Sequence, residues 1–232
     1  MRTRTTVATA VLACLVTAGC GAEGDGGGAG ATERSAQEIL DDANEAMSEL
    51  TSVTVEGNTI KVGSSSGRSS RLTTDLDSRC TSEVTWDATG AVLEQIRIGE
   101  TDYVRPNRAY IENWSGKPMA GPQNIWFKTP VSDAQPGDGL SACPRDFTSF
   151  GTAKKGEPTE VDGTPAIALL VTDKSVKEGA YTFYIATEGE PYILKVAYKG
   201  TDYRTTTTYS AFNKPLDVRP PAKSLDASKL GE

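Results

Sequence analysis

The chain has 232 residues, with 31 Asp or Glu against 24 Lys or Arg, so its formal net charge is −7. A surface that acidic repels nucleic acid and anionic headgroups, and electrostatic docking to either is not expected. There is no histidine, which excludes Ser-His-Asp and Cys-His nucleophile pairs, His-bearing zinc or iron sites and imidazole bases together; among these classes only carboxylate-pair enzymes survive.

Arg2 and Arg4 precede a short apolar run, Val7 to Cys20, which ends Leu15-Val16-Thr17-Ala18-Gly19-Cys20. A basic start, about a dozen mostly apolar residues and then small residues make an export signal, too short to span a bilayer. The small residues before Cys20 resemble the lipobox of bacterial lipoproteins, with Thr17 where that motif most often has Leu. The resemblance implies cleavage of the signal peptide 1–19 and acylation of Cys20, with palmitate-type chains as the anchor. It places the protein on the extracytoplasmic face of the cytoplasmic membrane. Val11-Leu12-Ala13-Cys14 is a rival box, but cleavage there leaves too few apolar residues upstream. Loss of residues 1–19 removes Arg2 and Arg4, leaving 22 basic against 31 acidic residues, a net charge of −9. The 213 residues that remain suit one all-β domain.

Of the four cysteines, Cys14 leaves with the signal and Cys20 is committed to lipid. Cys80 and Cys143 remain as a pair in an oxidising compartment, and a disulfide between them is expected. Closing that loop stabilises a fold by roughly 4 kcal/mol in the chain-entropy model. No supporting ligands point to a metal, and no cofactor is expected.

Residues 20–34 form the lipidated end and a tether, glycine-dominated from Gly21 to Ala31 and read as flexible coil. The folded domain is expected over 35–232. Ser35-Ala36-Gln37-Glu38 has the form of a capping box. Ala36, Ile39, Leu40, Ala43, Ala46, Met47 and Leu50 then recur at helical spacing, an amphipathic helix of about four turns.

From Ser52 the period becomes two. Val53 and Val55 share one parity and Ile60 and Val62 the other, which predicts a register shift with Gly57 as the bulge. Leu72 to Leu76, Cys80 to Trp86 and Val92 to Ile98 alternate between turns, the mark of an antiparallel meander. Short strands are expected at Tyr103 to Arg105, Tyr110 to Glu112 and Ile125 to Lys128. An irregular loop is expected from Val131 to Leu140, and a short helix from Pro144 to Gly151. Thr159 to Asp162 pairs with Pro165 to Val171 through Gly163-Thr164. Tyr181, Phe183 and Ile185, then Tyr192 to Tyr198, then Tyr203 to Tyr209 follow as strands, before an exit through Pro215, Pro220 and Pro221.

About ten strands at roughly 4.8 Å spacing make a sheet nearly 50 Å wide, whereas one helix covers about 10 Å. The sheet must curl, receive help from loops, or leave part of its concave face to something apolar. The fold class is therefore mainly β with a few helices (α+β), a strongly curved antiparallel half-barrel covered by the amphipathic helix and loops. Candidate lining residues for a cavity on the concave face are Val84, Trp86, Ile96, Ile98, Tyr181, Phe183, Leu194 and Val196.

The lipobox and tether, the helix running into Ser52 to Val62, Gly99-Glu100-Thr101-Asp102-Tyr103-Val104 and the tryptophan segment Asn124 to Lys128 form one ordered series. With Val161-Asp162-Gly163-Thr164-Pro165-Ala166, Tyr181 to Val196 and the proline-rich exit, it resembles the LppX/LprG-type lipoproteins of actinobacteria, of LolA/LolB-like fold. The resemblance implies a half-barrel over an apolar cavity and binding or carriage of lipids or lipoglycans without catalysis. The Cys80 and Cys143 pair is not part of that general pattern. The alternative is a lipoprotein that binds or senses an envelope protein, and a carboxylate-pair hydrolase ranks last because no nucleophile, metal set or base stands out.

Overall fold

The computed structural model describes residues 34–118, 123–133, 139–145, 147, 149, 151–173 and 179–229. The signal peptide, Cys20 and nearly all of the tether lie outside the described residues. The compact unit begins at Arg34.

Helix α1 (Ala36–Ser48) starts where the capping box requires: Glu38 N donates to Ser35 Oγ at 3.2 Å, and Ser35 N donates to the Glu38 carboxylate at 2.7 Å. Leu40, Ala43 and Met47 form its buried stripe. Six strands follow: β1 (Val53–Lys61), β2 (Gly67–Thr74), β3 (Arg79–Trp86), β4 (Ala91–Ile98), β5 (Thr101–Pro106) and, after helix α2 (Arg108–Ser115), β6 (Phe127–Pro130). A second series comprises β7 (Thr152–Val161), β8 (Thr164–Thr172), β9 (Ala180–Ala186), β10 (Ile193–Lys199) and β11 (Tyr203–Ser210), with a two-residue β12 (Leu225–Asp226) near the end.

All twelve strands join one open, curved sheet in the order β12-β6-β5-β4-β3-β2-β1-β11-β10-β9-β8-β7. Two antiparallel meanders run outward from the β1–β11 seam, and among the described strands only β12 on β6 is parallel. The β7–β8 hairpin turns at Asp162 and Gly163, both at positive φ (48° and 83°), as a two-residue turn matched to strand twist demands.

Helix α1 packs against β7, β9 and β10. Its stripe meets Ile167, Leu169, Val171, Ile185 and Ile193 in the main core, which continues through Val53, Val55 and Leu72 to Leu140 and the two cysteines. Leu40, Met47, Leu169, Val171 and Ile185 are all under 2 % exposed, so this side of the trough is closed to water.

Four expectations need correction. The register shift at Gly57 is absent: β1 pairs without interruption, Gly57 standing opposite Ser70 on one side and Thr207 on the other. Val53 and Val55 point into the core, whereas Ile60 and Val62 project outward, 46 % and 41 % exposed. Gly57 is there for space, since a Cβ would lie 2.8 Å from Ser70 Oγ. Tyr110 to Glu112 is not a strand but the middle of α2, started by Asn107, whose Oδ1 accepts from Tyr110 N at 2.8 Å. The strand expected at Ile125 to Lys128 sits slightly later, at Phe127–Pro130. The described residues of the segment from Pro144 to Gly151 are not helical; the helical turn precedes them, as a 3-10 turn at Gly139–Ala142.

Candidate functional site: a cavity on the open half of the concave face

Helix α1 fills only one side of the trough. Over β1 to β4 the concave face is left open, and there a cavity of about 740 Å³ forms. Its aliphatic floor is Val55, Leu72, Val84 and Leu93. Between these stand small inward residues, Gly57, Ser70, Ser82 and Thr207. Cross-strand partners point to the same side of a sheet, so the register explains the grouping: Gly57 faces Ser70, Ser70 faces Val84, Val84 faces Leu93 and Gly57 faces Thr207. The space exists because inward positions in this row are occupied by short side chains.

One wall is the turn bearing Gly139, Ser141 and Ala142, followed by Arg145. It is held rigidly. Cys80 and Cys143 form a disulfide, with Cα atoms 5.8 Å apart. Thr74 Oγ1 donates to Cys143 O at 2.6 Å, Gly139 N donates to Gln95 Oε1 at 3.1 Å, and Arg97 Nη1 donates to Leu140 O at 3.3 Å. Arg97 is itself buried against Asp102 through two bonds of 2.7 and 2.8 Å. A buried guanidinium needs such a partner, since an unpaired buried charge is far more costly than a paired one. Gly139 lies so close to the sheet that a Cβ would fall 2.1 Å from Ser82 Oγ. Leu140, with no exposure at all, plugs this wall into the main core.

The opposite rim is aromatic. Trp86, Tyr110 and Trp114 pack with ring centroids 5.4 to 6.1 Å apart, and Trp114 Nε1 donates to Tyr110 Oη at 2.6 Å. Asn107 fixes α2 at this place, accepting from Val92 N and donating to Gly90 O. Trp114 stays 65 % exposed.

Of the eight candidate residues, Val84 and Trp86 line this cavity. Tyr181, Phe183 and Val196 share the concave face but pack against the main core on the side of α1. Ile96 and Ile98 are corrections: they pair with Thr81 and Arg79 on the outer face, while Leu93, Gln95 and Arg97 take the inward positions. Both faces of β4 carry aliphatic residues, so alternation along that strand identifies no inside. Leu194 is also a correction, because the β9–β10 register shifts between Ile193 and Lys195. Ile193 turns into the main core, and Leu194 joins Val161, Ala166 and Ala186 in a separate cluster beside Tyr192 and Phe212.

The charges at the cavity were not legible as a set. Arg68 and Arg145 line it, and among the described lining residues there is no Asp or Glu. Arg145 lies 5.7 Å over the Phe147 ring. Burial pushes the Tyr209 phenol above its ordinary pKa, and the nearby Arg145 charge opposes that rise. A second, shallower hollow of about 450 Å³ on the outer face contains Glu56 and Glu83, but Arg71 stands between them in the register and ion-pairs with Glu56. That is a cross-strand charge ladder on an exposed surface, not an acid and base facing a substrate. No group of three or more metal-ligating side chains occurs among the described residues.

The arrangement of two meanders, a helix in the trough and a cavity beside it can be compared with known structures. LprF from Mycobacterium bovis superposes with a TM-score of 0.53 at 14% identity, over 81% of this chain and 97% of that one. The fold is that of LprF. The lipoprotein LppX of Mycobacterium tuberculosis gives a TM-score of 0.48 at 16% identity, over 78% of this chain and 96% of its own. A LolA superfamily protein from Nitrosomonas europaea gives 0.33 at 14% identity, over 81% and 95% of the two chains. No protein-family model and no curated protein sequence matches the chain. The expected resemblance to LppX/LprG-type lipoproteins of actinobacteria holds for the architecture through LprF, at an identity where only fold is comparable.

Proposed function

We propose that this protein is an extracytoplasmic lipoprotein, anchored to the cytoplasmic membrane through acylated Cys20, that binds or carries a hydrophobic ligand, a lipid or lipoglycan, without chemical conversion. The observation that carries the proposal is the cavity itself. Its volume of about 740 Å³ falls within the usual range for small-molecule sites, and its aliphatic floor with a few polar groups is the usual lining. The anchoring part rests on the arrangement of Arg2, Arg4, the apolar run and Cys20. Among the described residues no helix is long and apolar enough to cross a membrane. The non-enzymatic part is supported by the absence of histidine and by the lack of a carboxylate pair among the described lining residues.

Native mass spectrometry of the protein extracted from the envelope of a lipid-rich actinobacterial host tests the reading. A stoichiometric hydrophobic adduct is expected, and Ser70→Phe, which grows into the cavity, should abolish it while leaving the melting temperature within a few degrees. Cys20→Ala in the same host should abolish membrane partition. An adduct-free protein in lipid-rich membranes would reject carriage, and binding to another envelope protein would then explain the chain better.

A further inference from the structure

We infer that the ligand of this cavity is an acidic amphiphile, an aliphatic chain carrying a carboxylate or phosphate, whose charged group is held by Arg68 and Arg145. The inference rests on the carrier reading and specifies its ligand class. Its starting point is a charge imbalance. In a chain of net charge −7, the described lining residues include two guanidiniums and no carboxylate.

Five of the other described arginines pair with acids, Arg34 with Asp42, Arg71 with Glu56, Arg97 with Asp102, Arg105 with Glu94 and Arg219 with Asp217, and Arg79 donates to the carbonyl of Val218. Neither Arg68 nor Arg145 has such a partner among the described carboxylates. Their positions also suit a ligand with two chemical ends. Arg68 stands directly opposite Trp86 in the β2–β3 register, at the aromatic rim. Arg145 follows the disulfide-held turn on the facing wall. Between them lies the floor of Val55, Leu72, Val84 and Leu93, which offers an alkyl chain apolar contact, with the hydroxyls of Ser70, Ser82 and Thr207 among them.

A guanidinium binds carboxylate or phosphate through two parallel N–H donors. Walls of low polarity concentrate its field inside a cleft more than on an open surface. A neutral lipid would leave both guanidiniums without a countercharge among the described lining residues, whereas an acidic one neutralises them on entry. The aromatic rim suits the boundary between head and chain, since tryptophan and tyrosine carry a large apolar ring with one polar tip.

The test uses the full chain in nonionic detergent, titrated with oleate and with oleyl alcohol at pH 8 and read by native mass spectrometry. The two probes share a chain and differ in the charge of the head. Oleate is expected to bind at least about tenfold more tightly, and Arg68→Gln and Arg145→Gln should each lower oleate affinity by about tenfold, the effect expected when a bond to a charged group is lost. Oleyl alcohol binding should be unchanged in both variants, and Arg68→Lys should retain part of the preference. Melting temperatures of the variants establish that they remain folded. Equal affinity for the two probes, or variants that weaken both alike, would overturn the acidic head while leaving the carrier reading in place. Binding of neither probe would overturn both. Inorganic phosphate in large excess separates the two sources of anion: failure to displace oleate supports an amphiphile, and full displacement by phosphate alone would overturn that class in favour of a free-anion site.

Discussion

The concave face has two halves built on the same alternation, and they end in opposite states. On the β7 to β10 side, inward positions are Ile167, Leu169, Val171, Ile185 and Ile193, and the α1 stripe of Leu40, Ala43 and Met47 closes over them. On the β1 to β4 side, inward positions include Gly57, Ser70 and Ser82 beside Val55, Leu72 and Val84, while α1 packs against β7, β9 and β10. Large side chains recruit a cover because their burial stabilises by roughly 1.5 to 3 kcal/mol each. Short ones leave a volume that a second molecule can occupy. The difference teaches that a cavity in this fold is located by where the inward row turns small, not by where it is most apolar.

The wall between the two halves should be the most sensitive element. Replacing both Cys80 and Cys143 by serine is expected to cost about 4 kcal/mol, the chain-entropy value for a loop this long, read as a shift in the urea midpoint. Because the wall is also tied by Thr74, Gln95 and Arg97, the double variant should still fold with the turn in place and melt at a lower temperature. Loss of all cooperative unfolding would mean that these hydrogen bonds do not hold the turn once the disulfide is gone.

The next effect compares the halves directly. Leu169→Ala, in the filled half, is expected to cost about 3 kcal/mol, within the usual span for a buried leucine. Val84→Ala, on the cavity wall, should cost roughly half of that, because it deletes fewer atoms and enlarges a space already present. Ligand binding should reverse the order, with Val84→Ala changing affinity and Leu169→Ala leaving it unaltered. Equal stability losses, measured by urea denaturation, would make the open half an ordinary core.

Much of this architecture is legible in the residues alone. The capping box located α1, the turns located the hairpins, and the surplus of inward positions over helix cover implied the trough. What was missed has physical causes. Residues that line a hole are small, and Gly57, Ser70, Ser82 and Thr207 read as weak strand positions instead of as a floor, although their shared parity with Val55 and Val84 was available. Ile96 and Ile98 sit on a strand with two aliphatic faces, so only pairing with β3 decides which is inside. The bulge that turns Leu194 away leaves no glycine or proline as a mark. Helix α2 is short and draws its place from Asn107 bonding to β4 and the preceding turn, a tertiary cause that local pattern does not contain.

The smallest expected effect concerns the cover itself. The capping box holds the first turn of α1, where Gln37 also accepts from Ala153 N in β7. Ser35→Ala is expected to cost about 1 kcal/mol, the usual value for a lost serine cap, read by denaturation at pH 7. The partner Glu38 adds a pH dependence of known sign. Its carboxyl is held below the ordinary carboxylate pKa, chiefly by the bond from Ser35 N, with help from the Ser35 hydroxyl and the Arg34 charge. A depressed carboxylate contributes stability that is complete above its unfolded pKa, near 4.5, and is lost as pH falls through the lower folded value. The stability gap between the wild-type chain and Glu38→Gln should therefore be constant from pH 7 down to about pH 5 and close below that. Because only the cover is weakened, the cavity over β1 to β4 should bind its ligand unchanged in both variants. A parallel fall in ligand affinity would show instead that the helix-filled half sets the shape of the open one.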